Sequence, residues 1–206
     1  MPRIPIEEKN KVDYIHTSLE NLLSHEISQI DDINVVNIVR KVLKRVPKEH
    51  SWKPASSSNK YHPLCDLGIG GLVRHTKVVV KIIQEIINAT PVFKDEKDDL
   101  IAAAILHDMM KYPNSSYTHT SIKHPDLIAD IIAEEGSENI ARLTRSHQGI
   151  FTKSKNEPNI ENSVVPKKFD EWALHYADLI SSRCFVNFEF DEVGEIKNDL
   201  WKERSK

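Results

Sequence analysis

Apolar residues recur at every third or fourth position along most of the chain, which is the spacing of one face of an α-helix. Two such stretches, at 14–30 and 35–46, predict that the chain opens with two helices. Asp31 and Asp32 lie between them and are expected to cap the second helix, and Pro47 is expected to stop it. The first fifty residues are therefore predicted to be helical.

The rest of the pattern is also helical, apart from a few segments. The stretch 95–110 is apolar almost all round, so its helix is expected to lie at the centre of a bundle. The segment 51–71, rich in Pro, Gly and Ser, indicates a long ordered loop, and only 186–196 alternates like a pair of strands. Further helices are predicted at 71–88, 121–135, 137–146 and about 168–185, with a polar loop at 149–167. We predict an all-α bundle. A short β-hairpin near the C-terminus would be its only β-structure.

Size and composition indicate one globular domain in a reducing compartment. The hydrophobic fraction of 39% and the charged fraction of 29% in 206 residues are ordinary for such a domain. No apolar run approaches the roughly 20 residues needed to cross a bilayer, and the N-terminal segment lacks the apolar core of a secretory signal. Two cysteines are too few for a disulfide framework. We expect a cytoplasmic protein that does not use a membrane.

We predict that this single domain has a helical extension at 1–50, a core at 51–187 and a tail at 188–206. The formal net charge of -3 argues against a protein that coats nucleic acid through a broad basic surface. A protein with this net charge can still have a local pocket of basic residues. The two opening helices could cover the core or form a homo-oligomer contact, and the sequence leaves both uses open.

Candidate chemistry centres on the adjacent pair His107 and Asp108, at the end of the apolar helix. An ionised Asp is costly in such a place unless it is paired or bound to a metal, although an exposed last turn is the simpler alternative. Imidazole and carboxylate groups are the ligands that divalent metals use in hydrolases. Four other candidates lie along the chain, His75 before this pair and His124, His147 and Asp178 after it.

This order resembles the HD superfamily of phosphohydrolases, and the similarity extends over about 54–183. The segments that carry it are GGLVRHT, ILHDMMK, which matches an HDxxK pattern, and ADLISSR. The resemblance implies an all-helical fold and a divalent metal held by four residues: His75, His107, Asp108 and Asp178.

The same resemblance raises the question of a second ion. His124 and His147 stand where binuclear relatives, such as the HD-GYP phosphodiesterases, place ligands of a second metal. Those relatives carry a His-His pair where this chain has His147 followed by Gln148, and Gln is a poor ligand for a transition metal. One metal is therefore expected and a second is left open, the candidates being manganese, iron, cobalt, nickel, zinc and magnesium.

A closer similarity is to the HD domain of bacterial 3'-to-5' exoribonucleases, because PASSSNKYHP precedes GGLVRHT here as a Pro-Ala loop precedes the helix there. Those nucleases add an N-terminal nucleic-acid-binding barrel, whereas the first fifty residues here are predicted to be helical. The similarity therefore implies a nucleotide or a short single-stranded nucleic acid as substrate.

Several side chains are candidates for the substrate. By the resemblance Asp108 and Lys111 are expected to be catalytic, since Lys111 can reach back over the helix end toward a phosphoryl oxygen. Guanidinium groups hold phosphate through paired hydrogen bonds, although a solvated surface charge is the alternative for each Arg. The substrate-binding candidates are Arg74, Lys111, Arg145, Arg183, His62 and Ser57.

We therefore expect hydrolysis of a phosphoester bond in a nucleotide or short nucleic acid by a metal-activated water. The alternative from another class is a non-catalytic regulatory module that binds metal and nucleotide. The sequence does not choose between phosphomonoester and phosphodiester cleavage.

Overall fold

The computed structural model describes residues 12–56, 62–112, 121, 123–149, 164–186 and 188–197. These residues form eight α-helices and no strand, which confirms the all-α prediction. The helices are α1 (Leu19–Leu22), α2 (Ser24–Ile27), α3 (Ile33–Arg45), α4 (Gly71–Ala89), α5 (Lys97–Leu106), α6 (His124–Glu134), α7 (Glu138–Ser146) and α8 (Phe169–Ser181). Short 3-10 turns lie at Lys48–Ser51, Leu64–Asp66 and Pro91–Phe93.

The centre of the bundle is α5. Every residue from Leu100 to Leu106 is at most 1% exposed, so this helix has no polar face. It packs against α3, α4, α7 and α8, while α6 packs mainly on α7. Since α5 runs through the middle of the core, the residues that directly follow it lie inside the protein.

The opening of the chain is helical, but less regular than its pattern predicts. The predicted helix at 14–30 is divided into α1 and α2, and Ser28 Oγ donates to the carbonyl of His25, 2.7 Å away, at the end of α2. Asp32 caps α3 as predicted, because its side chain accepts from Asn34 N at 2.8 Å. α3 then buries its apolar face on α5.

Helix α5 ends earlier than predicted, at Leu106 instead of residue 110. In a regular helix the Ala104 carbonyl would accept from the backbone N–H of residue 108. Here the His107 ring takes that carbonyl, at 2.8 Å from Nδ1. The chain then tightens, since Met109 N donates to Leu106 O at 3.0 Å and Lys111 N to Asp108 O at 2.9 Å.

The predicted C-terminal hairpin reduces to one antiparallel bridge, between Phe190 and Ile196. Gly194, with a φ of +82°, turns the chain between them. The bridge is tied to the bundle by the buried ammonium of Lys77, which lies 2.6 Å from Glu195 Oε1 and 3.3 Å from Glu26 Oε2. Among the described residues, no helix has both the length and the apolarity to span a membrane.

His50 joins the N-terminal region to the segment that follows α5. Its ring is fully buried; Nδ1 lies 3.1 Å from the Pro47 carbonyl and Nε2 accepts from Tyr112 N at 3.2 Å. Because an N–H donates to Nε2, the imidazole is neutral and carries its proton on Nδ1. Burial lowers the pKa of His50 to about 4.

The buried, neutral His50 predicts how the free energy of unfolding depends on pH. An unfolded His50 takes up a proton below about pH 6.5, whereas the folded one resists it until about pH 4. The stabilisation is therefore complete above pH 6.5 and is lost as the pH falls toward 4, by up to about 3 kcal/mol. Urea unfolding of the wild type and of His50→Gln should show that the wild type loses more stability between pH 7 and 4.5. His25→Gln, at an exposed position, is the control and should follow the wild type; parallel curves for His50→Gln would contradict the prediction.

Candidate metal centre

Five helices contribute residues to one buried cluster in the bundle. His75 lies in the second turn of α4, and Asp178 lies in α8. The others stand at helix ends: His107 and Asp108 directly after α5, His124 at the start of α6, and His147 directly after α7. The cluster is buried, since the four histidines and Asp108 are at most 1% exposed and the Asp178 side chain is 22% exposed.

Three of the imidazoles are oriented in the same way. In each, Nδ1 lies within hydrogen-bond distance of the backbone carbonyl three residues earlier: 2.8 Å for His107, 2.6 Å for His124 and 2.6 Å for His147. A carbonyl can only accept, so each Nδ1 carries a proton and donates to it, which turns each Nε2 toward the interior of the cluster. These three Nε2 atoms all face Asp108.

The carboxylate of Asp108 lies between two pairs of imidazoles. Its Oδ2 is 3.5 Å from His107 Nε2 and 3.6 Å from His75 Nε2. Its Oδ1 is 2.8 Å from His124 Nε2 and 3.6 Å from His147 Nε2. Each carboxylate oxygen therefore faces its own pair of histidines. We call the group around Oδ2, with Asp178, set A, and the group around Oδ1 set B.

Distances within each set are short. In set A, His75 Nε2 is 3.1 Å from Asp178 Oδ1 and 3.4 Å from His107 Nε2. In set B, the Nε2 atoms of His124 and His147 are 3.2 Å apart. The candidate ligand atoms of His75, His107 and Asp108, and likewise those of Asp108, His124 and His147, lie within 4.8 Å of one another.

Lys111 is the cation nearest to the shared carboxylate, with Nζ 2.6 Å from Asp108 Oδ2. Burial would lower the pKa of Lys111, but Asp108 and Asp178 raise it, so the ammonium stays charged. Burial opposes ionisation of Asp108, yet Lys111 and His107 hold the pKa of its carboxyl well below the usual range. Asp108 is thus an anion inside the core.

The two sets differ in their electrostatics. Burial would lower the pKa of His75, but the carboxylates of Asp178 and Asp66 raise it to about 10. Burial of His124 outweighs its carboxylate partner and lowers its pKa, which favours the neutral imidazole. Set A therefore favours positive charge between its carboxylates, and set B presents a neutral nitrogen donor.

These residues fit a divalent metal. Neutral imidazole nitrogens and ionised carboxylates are the donors that Mn, Fe, Co, Ni and Zn take up. Two ring nitrogens and two carboxylates converge in set A, and a divalent cation could take the place of the proton that His75 holds between the carboxylates. Gln148 lies beside set B, with Nε2 3.5 Å from the His124 ring nitrogens; its buried Oε1 has no hydrogen-bond partner among the described residues.

The other predicted site residues lie elsewhere or outside the described residues. Arg74 is buried and donates to the carbonyls of Cys65 and Leu67. Arg145 pairs with Asp126 and Asp130 of α6. Arg183, just after α8, is partly exposed and has no side-chain partner among the described residues. His62 is attached to the cluster through Asp66, and Ser57 lies outside the described part of the chain.

Two contributors were not predicted from the sequence, Asp66 and Ser181. Asp66 Oδ2 is 3.3 Å from His75 Nδ1, and Ser181 Oγ is also 3.3 Å from that atom. Asp66 lies in the irregular loop, where no periodicity marks a residue as buried. Ser181 follows Asp178 by three positions on α8, so the helical spacing from a candidate ligand was the signal that could have found it.

An all-helical bundle with a buried histidine-aspartate cluster places the protein among helical proteins whose core could hold a metal ion. The family model described as HD domain matches residues 72–178, just over half of the 206 residues. The chain belongs to the HD domain family, whose members are generally metal-dependent phosphohydrolases. Searches of curated proteins and of solved structures found no match, so the similarity to exoribonucleases stays a prediction.

Metal addition should stabilise the fold, because the candidate ligands come from α4, α5, α6, α7 and α8 and the unfolded chain does not bring them together. An ion at 100 times its Kd would add about 2.7 kcal/mol to the free energy of unfolding. Thermal unfolding with EDTA and then with excess Mn²⁺ or Co²⁺ should show a higher Tm with the metal. His107→Ala should lose most of this difference and the exposed His25→Ala should keep it. An unchanged wild-type Tm for every metal tested would refute a metal centre.

Proposed function

We propose that this protein hydrolyses a phosphoester bond of a nucleotide or a short single-stranded nucleic acid at the Asp108 cluster, through a metal-activated water. The observation that carries the proposal is the placement of Asp108, each of whose carboxylate oxygens faces two imidazole nitrogens in the core. The Lys111 ammonium neutralises part of this buried charge, and a divalent cation between the imidazoles and the carboxylates would satisfy the remaining donors. Membership of the HD domain family supports the same reading.

In this proposal set A holds the first ion, through His75, His107, Asp108 and Asp178. When bound, a divalent ion supplies Lewis acidity to a phosphoryl oxygen and lowers the pKa of a water molecule. The protein contributes fixed positions for the donors. Asp178 is the most exposed of the four, with 22% of its side chain accessible, so the substrate is expected to approach from its side.

Lys111 is proposed to stabilise the negative charge that builds up on the phosphoryl group. Its ammonium is charged, 12% exposed and 2.6 Å from Asp108. A lysine in that position can exchange one anionic oxygen for another with a small movement of its side chain. Arg183 is a second candidate for the substrate phosphate, because it directly follows the helix of Asp178 and has no described partner.

Set B is proposed to hold a second ion, through Asp108, His124 and His147. Its support is the 3.2 Å approach of two Nε2 atoms whose rings are both held by backbone carbonyls. Gln148 stands beside His124 and can take part through its orphaned carbonyl oxygen, an acceptor that is weaker than an imidazole nitrogen toward transition metals. We therefore expect set B to bind its ion more weakly than set A.

Activity is tested by incubating the metal-loaded protein with nucleotides, cyclic nucleotides and single-stranded oligonucleotides, in the presence of manganese, cobalt, nickel or magnesium. Asp108→Asn should reduce turnover to background, and Lys111→Met should lower kcat about 10²- to 10³-fold. Lys81→Met is the matched control, since Lys81 pairs with Glu85 on the surface of α4, and should leave kcat unchanged. Nucleotide binding without turnover across the panel would favour the regulatory alternative.

The second ion is tested by stoichiometry. Equilibrium dialysis against Mn²⁺ followed by elemental analysis should find two ions per chain in the wild type at high metal concentration. His124→Ala and His147→Ala should each bind one, because set A stays intact, and His25→Ala should bind two. A stoichiometry of one in the wild type, or of two in His124→Ala, would contradict the assignment of set B.

A further inference from the structure

We infer that Asp66 is a positioning residue of this centre, whose carboxylate orients His75 so that Nε2 is presented to the ion. The inference rests on the proposed function only in taking His75 as a metal ligand. Asp66 is 1% exposed, and its Oδ2 lies 3.3 Å from His75 Nδ1 and 2.9 Å from His62 Nδ1.

His75 needs an acceptor that its own helix does not supply. The other three histidines stand at helix boundaries, and in each the carbonyl three residues earlier lies within hydrogen-bond distance of Nδ1. His75 lies within α4, where the carbonyl of Leu72, three residues earlier, faces along the helix and already accepts from Thr76 Oγ1 at 3.0 Å. An acceptor from outside the helix is therefore required.

Asp66 and Ser181 are the two described groups that reach His75 Nδ1. Ser181 Oγ donates its proton to the carbonyl of Asp178 at 2.7 Å, so it approaches Nδ1 only as a neutral acceptor. Asp66 is the charged one, and a carboxylate accepts a stronger hydrogen bond than a hydroxyl does. Such a bond fixes the tautomer and raises the basicity of the opposite ring nitrogen.

The backbone around Asp66 is held in place against the start of α4. Its carbonyl accepts from Ala55 N at 2.9 Å. A Cβ at Gly71 would lie 2.0 Å from that carbonyl oxygen, so only glycine allows this approach. Ala55 and Gly71 thus both serve to hold the Asp66 loop against the helix that carries His75.

Arg74 holds the same loop from the other side. Its guanidinium donates to the carbonyl of Cys65 and, at 3.2 Å, to that of Leu67, the two neighbours of Asp66. Because Arg74 is adjacent to His75 in α4, the imidazole and the loop that orients it are tied to one turn of helix. Asp66 accordingly has little freedom to leave Nδ1.

The experiment compares metal affinity in full-length variants that have been stripped of metal with a chelator. Asp66→Asn keeps the size of the side chain and removes its charge, and it should weaken binding of Co²⁺ to set A by 10- to 100-fold in calorimetric titration. The visible absorption of the Co²⁺-loaded protein should change as well. Asp66→Ala is a second variant, and thermal unfolding shows that each variant is folded.

Two control variants separate an effect on the orientation of His75 from an effect on the stability of the fold. Asp170→Asn removes a carboxylate that pairs with Arg142, and it should lower stability while leaving Co²⁺ affinity unchanged. Ser181→Ala should weaken Co²⁺ binding by less than threefold, because Asp66 remains. Affinity and absorption at wild-type values in both folded Asp66 variants would overturn the inference and leave the proposed function standing. A wild type that binds no metal would overturn both.

Discussion

An ionised carboxylate inside an apolar core is the constraint on which the rest of this structure depends. Asp108 follows a helix that is buried on all sides, and an unpaired anion there would cost several kcal/mol. The protein surrounds it with four imidazoles and one ammonium. Helices α4 and α6 and the segments that follow α5 and α7 supply these groups, so the packing of four helices fixes the surroundings of this charge.

The way in which the imidazoles are oriented links the fold to the chemistry. After α5 and α7 the ring takes the carbonyl that a further turn of helix would have used, so the end of the helix and the direction of the ligand have one cause. At the start of α6 the His124 ring takes the carbonyl of Ser121, which precedes the helix. His75 lies inside a helix, and an external carboxylate takes the place of the carbonyl. Both arrangements turn Nε2 toward the carboxylates of the cluster, and a hydrogen bond at Nδ1 orients an imidazole for metal binding through Nε2.

Two of the arginines that the sequence offered for phosphate binding are occupied by loop carbonyls or by acids of α6. Of the other candidates, Lys111 pairs with Asp108, and Arg183 has no side-chain partner among the described residues. The formal net charge of -3 argues against a broad basic surface.

The sequence by itself determined the helical class and the central position of α5, because helical periodicity is a local property of residue type and spacing. The expected ligand residues came from the resemblance of its motifs to a known family. The helix boundary predicted from the sequence was wrong at the end of α5, because the His107 side chain competes there for a backbone carbonyl. Only the tertiary structure decided that Asp108 divides its two oxygens between two histidine pairs, that Arg74 holds a loop and that Asp66 reaches His75. These are contacts between segments far apart in the chain, or within an irregular loop, and no periodic pattern encodes their distances.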